Sequence, residues 1–343
     1  MTDFGHSRFA LLDGPTPLRR MERLEATLGR RPLYIKRDDH MEAGLGGNKL
    51  RSLEFWVGAA LEEEADVLVV AGEPNSNQCR LTAAAAAKAG LDCVIVHNAH
   101  QDDWAGRASA LSRILGATIR FVGPMDENRR SNVVEDVAEQ LRLDGRRPYV
   151  VGNGVVGALG YARAAAELLR QSDETGAGIR HVFLPGSMGP TETGFIFGNA
   201  LLGNPFEVHL VSVEYGLADL AARIARIDRD LRRTTGLNPP PLEDAAIHYH
   251  MDYLGPGYAR PTPQAEEAIL ALARHEAIFL EHTYTGKTFA CFMDMAKGGA
   301  LPADEAMCFL HTGGVPALFW QLDLFNLIRQ PDSGRTEALL PAV

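Results

Sequence analysis

Short apolar segments alternate with longer amphipathic segments along most of the 343 residues. The apolar segments lack a regular polar alternation, which is typical of strands that are buried on both faces. They span residues 33–35, 67–70, 93–96, 118–122, 149–151, 182–184, 210–213 and 308–310. Helices are predicted between them, for example at 50–61, 81–89, 108–115, 133–143 and 162–169. The pattern predicts an α/β protein with parallel sheets covered by helices on both faces.

Composition narrows the class of protein further. Apolar residues make up 46% of the chain and charged residues 23%, so disorder is excluded and one large or two ordinary domains are expected. Acidic residues outnumber basic residues by 44 to 34, which gives a formal net charge of −10. A general binder of nucleic-acid phosphates needs the opposite balance, so no nucleic-acid partner is expected.

The four cysteines lie far apart and form no CxxC pair, which excludes a disulfide-dense scaffold and a zinc ribbon; they are Cys79, Cys93, Cys291 and Cys308. Asp3 and His6 interrupt the region where a secretory signal would be apolar. No segment approaches the roughly 18 apolar residues of a membrane helix. We therefore expect a cytoplasmic protein with no membrane partner.

The histidines predict no metal site. Only His97 with His100 and His248 with His250 form close pairs in the sequence. Neither pair has a nearby carboxylate in an arrangement typical of metal ligands.

Loops that follow predicted parallel strands are where ligands bind in such folds, and one of them carries a lysine. Gly46 and Gly47 allow a tight turn, and Lys49 stands at the start of the helix predicted from residue 50. The helix macrodipole disfavours a cation there and lowers the pKa of the amine, as a Schiff-base lysine requires. The alternative is an ordinary exposed lysine on the first helical turn.

Two more loops offer hydrogen-bonding groups. Ser76, Asn77 and Gln78 follow the strand at 67–70, where they could cap a helix or bind a small carboxylate. The glycines and hydroxyl residues of 185–194 follow the strand at 182–184 and could form a phosphate cradle or a flexible turn. This loop lacks the Gly-Lys-Ser/Thr ending of an ATP-type phosphate loop, so nucleotide hydrolysis is not supported.

Three other positions have both a functional and a structural interpretation. Thr312 precedes two glycines that allow close approach to a planar ligand, and its hydroxyl could bond a ring nitrogen. Tyr258 and Tyr284 lie in polar, glycine-containing segments, although a tyrosine is more often structural than catalytic.

Residues 152–157 fit the GxGxxG pattern of dinucleotide-binding loops. That fingerprint also needs an acidic residue about 20 positions later, at the end of a second strand. Asp173 has the right distance but falls in a predicted helix. A nicotinamide-dependent oxidoreductase is therefore a distant alternative.

Taken in order, several motifs between residues 15 and 319 resemble one known family. They are Pro-Thr-Pro-Leu (15–18), Leu-Tyr-Ile-Lys-Arg-Asp-Asp (33–39), Leu-Gly-Gly-Asn-Lys (45–49), Ser-Asn-Gln (76–78), Gly-Ala-Leu-Gly-Tyr (157–161), Gly-Pro-Gly-Tyr (255–258), Tyr-Thr-Gly-Lys (284–287) and His-Thr-Gly-Gly (311–314). The chain resembles the D-cysteine desulfhydrase and 1-aminocyclopropane-1-carboxylate deaminase family of pyridoxal-phosphate enzymes. The resemblance implies fold type II, the tryptophan synthase β-like fold, with two doubly wound α/β domains.

The resemblance also implies roles for individual residues. Lys49 would carry pyridoxal 5'-phosphate and move the substrate proton, Asn77 would lie beside the ring hydroxyl, and Thr312 would face the ring nitrogen. The phosphate would be bound by Gly186, Ser187, Met188, Gly189 and Thr191. Ser76, Asn77 and Gln78 would bind the substrate carboxylate, with Ser76 also a possible acid/base group. Tyr258 and Tyr284 would face the substrate side chain.

Two positions bear on the substrate. Aminocyclopropane-carboxylate deaminases resembling this chain have Glu after the second tyrosine and Leu before the two glycines, where this chain has Thr285 and Thr312. A threonine at the ring nitrogen gives a weaker electron sink, which suffices to expel a good β leaving group. We expect β-elimination from a small, D-cysteine-like amino acid, giving a 2-oxo acid and ammonia. Aminocyclopropane-carboxylate deamination, β-replacement and a non-catalytic cofactor carrier are the alternatives.

Two stretches depart from the family pattern. Met188 and Pro190 interrupt a phosphate loop that is otherwise rich in glycine, and the segment before Gly157 is shortened. We expect residues 1–51 and 157–343 to form a large, discontinuous cofactor-binding domain and residues 52–156 a small α/β domain. The cofactor would lie between them, and the resemblance implies a homodimer.

Overall fold

The computed structural model describes residues 4–30, 32–101 and 109–325, and within them ten strands form two sheets. The strands are β1 (Leu18–Arg20), β2 (Leu33–Arg37), β3 (Val67–Gly72), β4 (Asp92–His97), β5 (Thr118–Phe121), β6 (Pro148–Val150), β7 (Ile179–Gly186), β8 (Glu207–Ser212), β9 (Ile247–His250) and β10 (Ala306–His311).

The larger sheet has six strands in the order β1-β2-β10-β7-β8-β9, and the smaller has four in the order β5-β4-β3-β6. All neighbouring strands run parallel except β1, which pairs antiparallel with β2 at the edge of the larger sheet. The parallel arrangement brings the carboxyl ends of β2, β10, β7 and β8 to one edge, where the loops that follow them can meet.

Eleven α-helices connect and cover these strands in the described part of the chain. They are α1 (Glu22–Leu28), α2 (Lys49–Glu62), α3 (Asn77–Ala89), α4 (Ala110–Ile114), α5 (Glu127–Leu143), α6 (Gly154–Thr175), α7 (Pro190–Leu201), α8 (Leu217–Thr235), α9 (Pro263–Glu276), α10 (Thr285–Lys297) and α11 (Val315–Leu318). None of the helices of the described ranges is long and apolar enough to cross a membrane.

Each of the eight predicted strand segments overlaps an observed strand. The sequence pattern did not reveal β1 or β9. β1 has three residues, two of them exposed arginines, and β9 carries two histidines and a tyrosine. Neither shows the buried apolar run that marks a central strand. The predicted helix at 108–115 starts at residue 108, which lies outside the described ranges. Residues 326–343 of the predicted large domain also lie outside them.

The two sheets have separate apolar cores. The core of the smaller sheet includes Leu53 and Trp56 of α2 and Leu81 of α3. On the larger sheet, one core lies under α9 and α10 and another under α6 and α7. Phe55 of α2 instead packs with Leu159 of α6, so α2 contacts the core of the smaller sheet and also a helix that covers the larger sheet. The predicted boundary between residues 51 and 52 falls inside this helix and stays a prediction.

A buried network of charges fixes α2 against β2 and α6. Arg51 of α2 donates to both oxygens of Asp38, at 2.8 Å each, and to Glu167 of α6 at 2.9 and 3.0 Å. Tyr161 of α6 donates to Asp38 at 2.5 Å, and Lys36 of β2 donates to Glu167. Because Arg51 lies two residues after Lys49, the network also determines where the lysine at the start of α2 is held.

Burial alone would raise the pKa of Glu167, but the charges and hydrogen bonds of Arg51 and Lys36 outweigh it and lower that pKa to about 2. A carboxyl whose pKa is lower in the folded state stabilises the fold above its unfolded pKa, here about 4.5. That contribution is lost as the pH falls from about 4.5 toward 2.

We predict that Glu167→Gln lowers the free energy of unfolding by about 3 kcal/mol at pH 7, because two buried cations lose a charged partner. Urea unfolding from pH 7 downward measures it, and the gap to the wild type should narrow below about pH 4.5. Glu174→Gln, on the same helix with a side chain 64% exposed, is the control. Equal losses in both variants would contradict the account.

Candidate active site

The loop before α2 joins three parts of the structure at the carboxyl edge of the larger sheet. The amide of Gly47 donates to the carbonyl of Asp38 at 3.0 Å, and the amide of Asn48 donates to the carbonyl of Thr312, after β10, at 2.8 Å. The side-chain amide of Asn48 donates to the hydroxyl of Thr191, at the start of α7, at 3.0 Å. Lys49, the first residue of α2, is thereby held among these loops.

Glycine is required where these loops come closest. A Cβ on Gly47, whose φ is +131°, would lie 2.4 Å from the side-chain nitrogen of Asn77. A Cβ on Gly313, at φ +98°, would lie 2.5 Å from the Cα of Gly47. Any larger residue would push the three loops apart. The loop after β3, which carries Asn77, therefore meets the loops after β2 and β10.

The amine of Lys49 lies in a setting that favours its neutral form. Burial lowers its pKa, while the carboxylates of Glu192 and Glu214 oppose the shift without reversing it. Position at the amino end of α2 acts in the same direction as burial, because the helix dipole is positive there. None of the described residues forms a hydrogen bond with the amine. A lowered pKa makes the amine more readily available as a nucleophile and a base.

The loop between β7 and α7 binds an anionic oxygen. The amides of Ser187 and Gly189 donate to one oxygen of Glu192, at 2.6 and 3.0 Å. Glu192 is 2% exposed, and burial raises the pKa of its carboxyl. Backbone amides that converge in this way at a helix amino terminus also suit a phosphate oxygen.

Other groups of the same loop are placed in different ways. Ser187 donates its hydroxyl to Glu214, and the sulfur of Met188 accepts from the hydroxyl of Tyr215 at 3.2 Å. Gly186 is the last residue of β7. The hydroxyl of Thr193 is buried and lacks a hydrogen-bond partner among the described residues. A buried hydroxyl without a partner in this turn leaves a donor for a ligand.

The loop after β3 places its three predicted residues at the start of α3. Ser76 is the N-cap of that helix, and its hydroxyl accepts from the amide of Cys79 at 3.4 Å. The side-chain oxygen of Asn77 accepts from Arg80, whose other terminal nitrogen is buried without a partner among the described residues. Gln78 is half-buried in the first turn of α3. Ser76 therefore caps the helix, whereas the side chains of Asn77 and Gln78 do not serve as caps.

The two tyrosines contact each other. Their hydroxyls share a hydrogen bond, and their rings meet edge to face with centroids 5.8 Å apart. Tyr258 is 38% exposed, whereas Tyr284 is half-buried at the start of α10. Burial raises the pKa of Tyr284 well above its ordinary value, and Tyr258 and Glu214 add to the shift. Tyr284 therefore keeps its proton at neutral pH and can act as a hydrogen-bond donor.

The hydroxyl of Thr312 has no hydrogen-bond partner among the described residues, although the residue is buried. The hydroxyl of Thr285 donates to Glu281 at 3.1 Å, and Glu281 also accepts from the amides of Thr283, Tyr284 and Thr285 at 2.6 to 2.8 Å. Of the two threonines singled out in the sequence, Thr312 is the one with a hydroxyl open to a ligand.

A reactive lysine beside an anion-binding loop suits a cofactor that has both a carbonyl and a phosphate group. A sequence profile described as "Pyridoxal-phosphate dependent enzyme" matches residues 9–313. The chain belongs to this family. The match confirms the predicted family and the pyridoxal-phosphate cofactor, and it sets aside the nicotinamide alternative.

Curated relatives of the pyridoxal-phosphate family agree over most of the chain. D-cysteine desulfhydrase of Salmonella typhi is 33% identical over 320 residues, which cover 91% of this chain and 95% of the relative. The enzyme of the same name from Salmonella newport (strain SL254) has the same identity and coverage.

Solved structures give the same fold. An aminocyclopropane-carboxylate (ACC) deaminase homologue is 28% identical, with a TM-score of 0.84 over 93% of this chain and 95% of that chain. Threonine deaminase isoform 2 of Solanum lycopersicum is 17% identical, with a TM-score of 0.65 over 91% of this chain and 83% of that one. The second likeness concerns the fold alone. The predicted fold type II is confirmed.

The residues present fit pyridoxal phosphate. The amides of Ser187 and Gly189 already converge on a carboxyl oxygen, and the hydroxyl of Thr193, in the first turn of α7, is buried without a partner among the described residues. The amine that would bind the aldehyde begins the helix that starts between this loop and Thr312.

Sequence reasoning missed several polar residues of this site, namely Asn48, Arg80, Glu192, Glu214 and Glu281. Glu192 had a detectable signal, because it stands at the third position of the helix that begins at Pro190, as in a capping box. Asn48, Arg80 and Glu214 contact loops that are distant in sequence, whereas Glu281 accepts from amides of its own turn. The loop at 152–157 serves a different purpose, since Asn153 caps α6 and Asp173 lies within that helix.

One premise about the histidines is wrong. The sequence showed no carboxylate in a ligand arrangement with His248 and His250, yet Glu207 lies 3.1 Å from the ring of His248. The two residues belong to neighbouring strands, β8 and β9, whose pairing cannot be read from local sequence.

We predict that Glu192→Gln raises the affinity of the cofactor-free protein for pyridoxal phosphate about tenfold, because a carboxylate no longer competes with the phosphate for the same amides. The difference from the wild type should narrow at lower pH, since burial raises the pKa of Glu192 and a protonated carboxyl carries no charge. An absorbance titration measures both effects. Asp219→Asn, an exposed acid of the neighbouring helix α8, is the control. Unchanged or weaker binding by Glu192→Gln would contradict the prediction.

Proposed function

We propose that the protein is a pyridoxal-phosphate dependent lyase that removes the β substituent of a small, D-cysteine-like amino acid and yields a 2-oxo acid and ammonia. The observation that carries the proposal is the amine of Lys49, whose pKa is lowered by burial and which begins a helix where four loops meet. The curated relatives named D-cysteine desulfhydrase, at 33% identity, support the substrate class.

Lys49 would act as the base of the reaction. When bound, pyridoxal phosphate supplies an aldehyde for the substrate amine and a ring that withdraws electrons from Cα. The neutral amine of Lys49 would take the Cα proton, and the electron pair left behind would expel the β substituent as the carbon–sulfur bond breaks. Water then replaces nitrogen at Cα, which releases ammonia and the 2-oxo acid.

Asn77 and Thr312 would orient the ring of the cofactor. Asn77 has its side chain against Gly47, directly before the turn that leads to Lys49. Thr312 would offer a neutral hydroxyl to the ring nitrogen. Glu281 is engaged by three backbone amides and by Thr285, so it supports the turn rather than the ring. A neutral partner favours elimination of a good leaving group over opening of a cyclopropane.

The phosphate would be bound by residues 186–191. The amides of Ser187 and Gly189 would donate to its oxygens in place of Glu192, and Thr191 would contribute the hydroxyl that now accepts from Asn48. Gly186 and Met188 would complete the turn.

The substrate would be bound from both sides of the lysine. Ser76 and Gln78, at the amino end of α3, would receive its carboxylate, since helix amino termini favour anions. Asn77 would contribute from the same turn. Tyr284, which keeps its proton, would donate a hydrogen bond to the departing thiolate, and Tyr258 would hold Tyr284 in place through their shared hydrogen bond.

We also infer that the chain acts as a homodimer, as the resemblance implies. The cytoplasmic location expected from the sequence stays a prediction.

We predict that borohydride reduction of the purified protein joins the cofactor covalently to Lys49 and abolishes its visible absorption. Peptide mass spectrometry identifies the modified residue. Lys49→Ala should trap no cofactor and should lose elimination activity. Lys88→Ala, which alters a partly exposed lysine of α3, should behave like the wild type. Trapping at another lysine, or full activity of Lys49→Ala, would refute the role of Lys49.

We predict that 2-oxo acid forms fastest from D-cysteine or β-chloro-D-alanine in an assay that also includes L-cysteine, cysteate, serine and 1-aminocyclopropane-1-carboxylate. A good leaving group matters because Thr312 provides only a neutral hydroxyl. Fast turnover of the cyclopropane substrate alone would overturn the assignment. Product formation only with an added nucleophile would instead show β-replacement.

A further inference from the structure

Three histidines and one glutamate gather near the amino ends of three strands of the larger sheet. His181 lies on β7, Glu207 and His209 lie on β8, and His248 lies on β9. The strand register pairs His181 with Glu207, and His209 with His248. Glu207 and His209 are two residues apart, so they share one face of the strand. Nothing in the proposed reaction uses these residues.

The ligand atoms of His181, Glu207 and His209 lie close to one another, and His248 approaches Glu207. The Nδ1 atom of His181 lies 3.1 Å from Nε2 of His209 and 3.7 Å from Oε2 of Glu207. The three ligand atoms of these residues all lie within 4.8 Å of one another. Nε2 of His248 lies 3.1 Å from the same Oε2 atom. Donor atoms about 2.0–2.1 Å from a tetrahedral zinc ion are about 3.3 Å apart, so the spacings of His181 to His209 and to Glu207 need only small adjustments. The exposed ring of His248, which is stacked on His209, would have to turn toward the other three donors.

The atoms of His181, His209 and Glu207 that face away from the cluster already have hydrogen-bond partners. Nε2 of His181 lies 2.7 Å from Glu305, and Nδ1 of His209 lies 2.9 Å from Nε2 of His250. Glu207 uses its other oxygen to accept from Arg180 at 2.9 Å, which leaves Oε2 for the cluster. Metal-binding histidines commonly have such partners, since a hydrogen bond at one ring nitrogen fixes the tautomer and the orientation of the other.

We propose that His181, Glu207, His209 and His248 form a binding site for one transition-metal ion of the Zn²⁺ or Co²⁺ class. His181 would bind through Nδ1, His209 and His248 through Nε2, and Glu207 through Oε2. Imidazole nitrogens with one carboxylate oxygen are a donor set that suits these ions. His248, with a side chain 45% exposed, forms the open side through which the ion enters.

The ion would stabilise the fold and would take no part in elimination. The site lies at the amino ends of β7 and β8, whereas the loops of the proposed active site follow their carboxyl ends. Gly186 lies five positions after His181 on β7, or roughly 16 Å along the strand. A bound ion would tie β7, β8 and β9 together. The inference therefore stands or falls independently of the proposed function.

The test uses the tag-free, cofactor-loaded protein, first treated with a chelator and then dialysed against Zn²⁺. Elemental analysis should find one equivalent of zinc per chain. Titration with Co²⁺ should give the intense visible bands of four-coordinate cobalt, and Zn²⁺ should raise the melting temperature. Glu207→Gln and His248→Ala, which alter the more exposed ligands, should each weaken Co²⁺ binding at least about tenfold.

Two measurements keep the result interpretable. His100→Ala, which removes an exposed imidazole outside the cluster, should bind both ions like the wild type. The cofactor absorbance of every variant reports whether the protein is folded, and elimination activity should not depend on the metal. Failure of the wild type to bind either ion saturably would overturn the proposal. Binding that Glu207→Gln and His248→Ala leave unchanged would also overturn it.

Discussion

The hydrogen bond from the amide of Asn48 to the carbonyl of Thr312 joins the two loops on which the proposed chemistry depends. It holds the start of α2 against the end of β10, and the Asn48 side chain extends the contact to Thr191 at the start of α7. Lys49 follows Asn48 directly in the sequence. Its position is therefore set by the backbone hydrogen bond of Asn48 and by the hydrogen bond of the Asn48 side chain to Thr191. Gly47 and Gly313 allow the close approach, since a Cβ on either would meet a neighbouring loop.

Burial and the neighbouring carboxylates have opposing effects on the pKa of Lys49. Burial lowers the pKa of the amine, while Glu192 and Glu214 raise it. The same two carboxylates contact the loop after β7, Glu192 through two backbone amides and Glu214 through the hydroxyl of Ser187. A phosphate that entered the loop would have to displace Glu192. Cofactor binding and the protonation of the lysine are therefore expected to depend on each other.

Much of the fold and part of the site could be predicted from local sequence. Buried parallel strands are marked by continuous apolar runs. A glycine-rich turn after a strand made Lys49 a candidate, and its role stays a prediction. Ser76 was recognisable as a cap because its position before a helix is a local property. Glu192 left only a capping-box signal, and Glu281 accepts from amides two to four residues further along the chain, so nothing in the local pattern tied either carboxylate to the site. The approach of Glu207 to His248 depends on the pairing of β8 with β9, which local sequence does not specify.

The account rests on a covalent bond between Lys49 and the cofactor aldehyde, with the phosphate held by the loop after β7. A crystal structure of the borohydride-reduced protein tests both parts at once. The account predicts continuous density from the Lys49 nitrogen to the cofactor, the phosphate on the amides of Ser187 and Gly189, and the carboxylate of Glu192 turned away. An unmodified Lys49, or a phosphate bound elsewhere with Glu192 still on those amides, would contradict it.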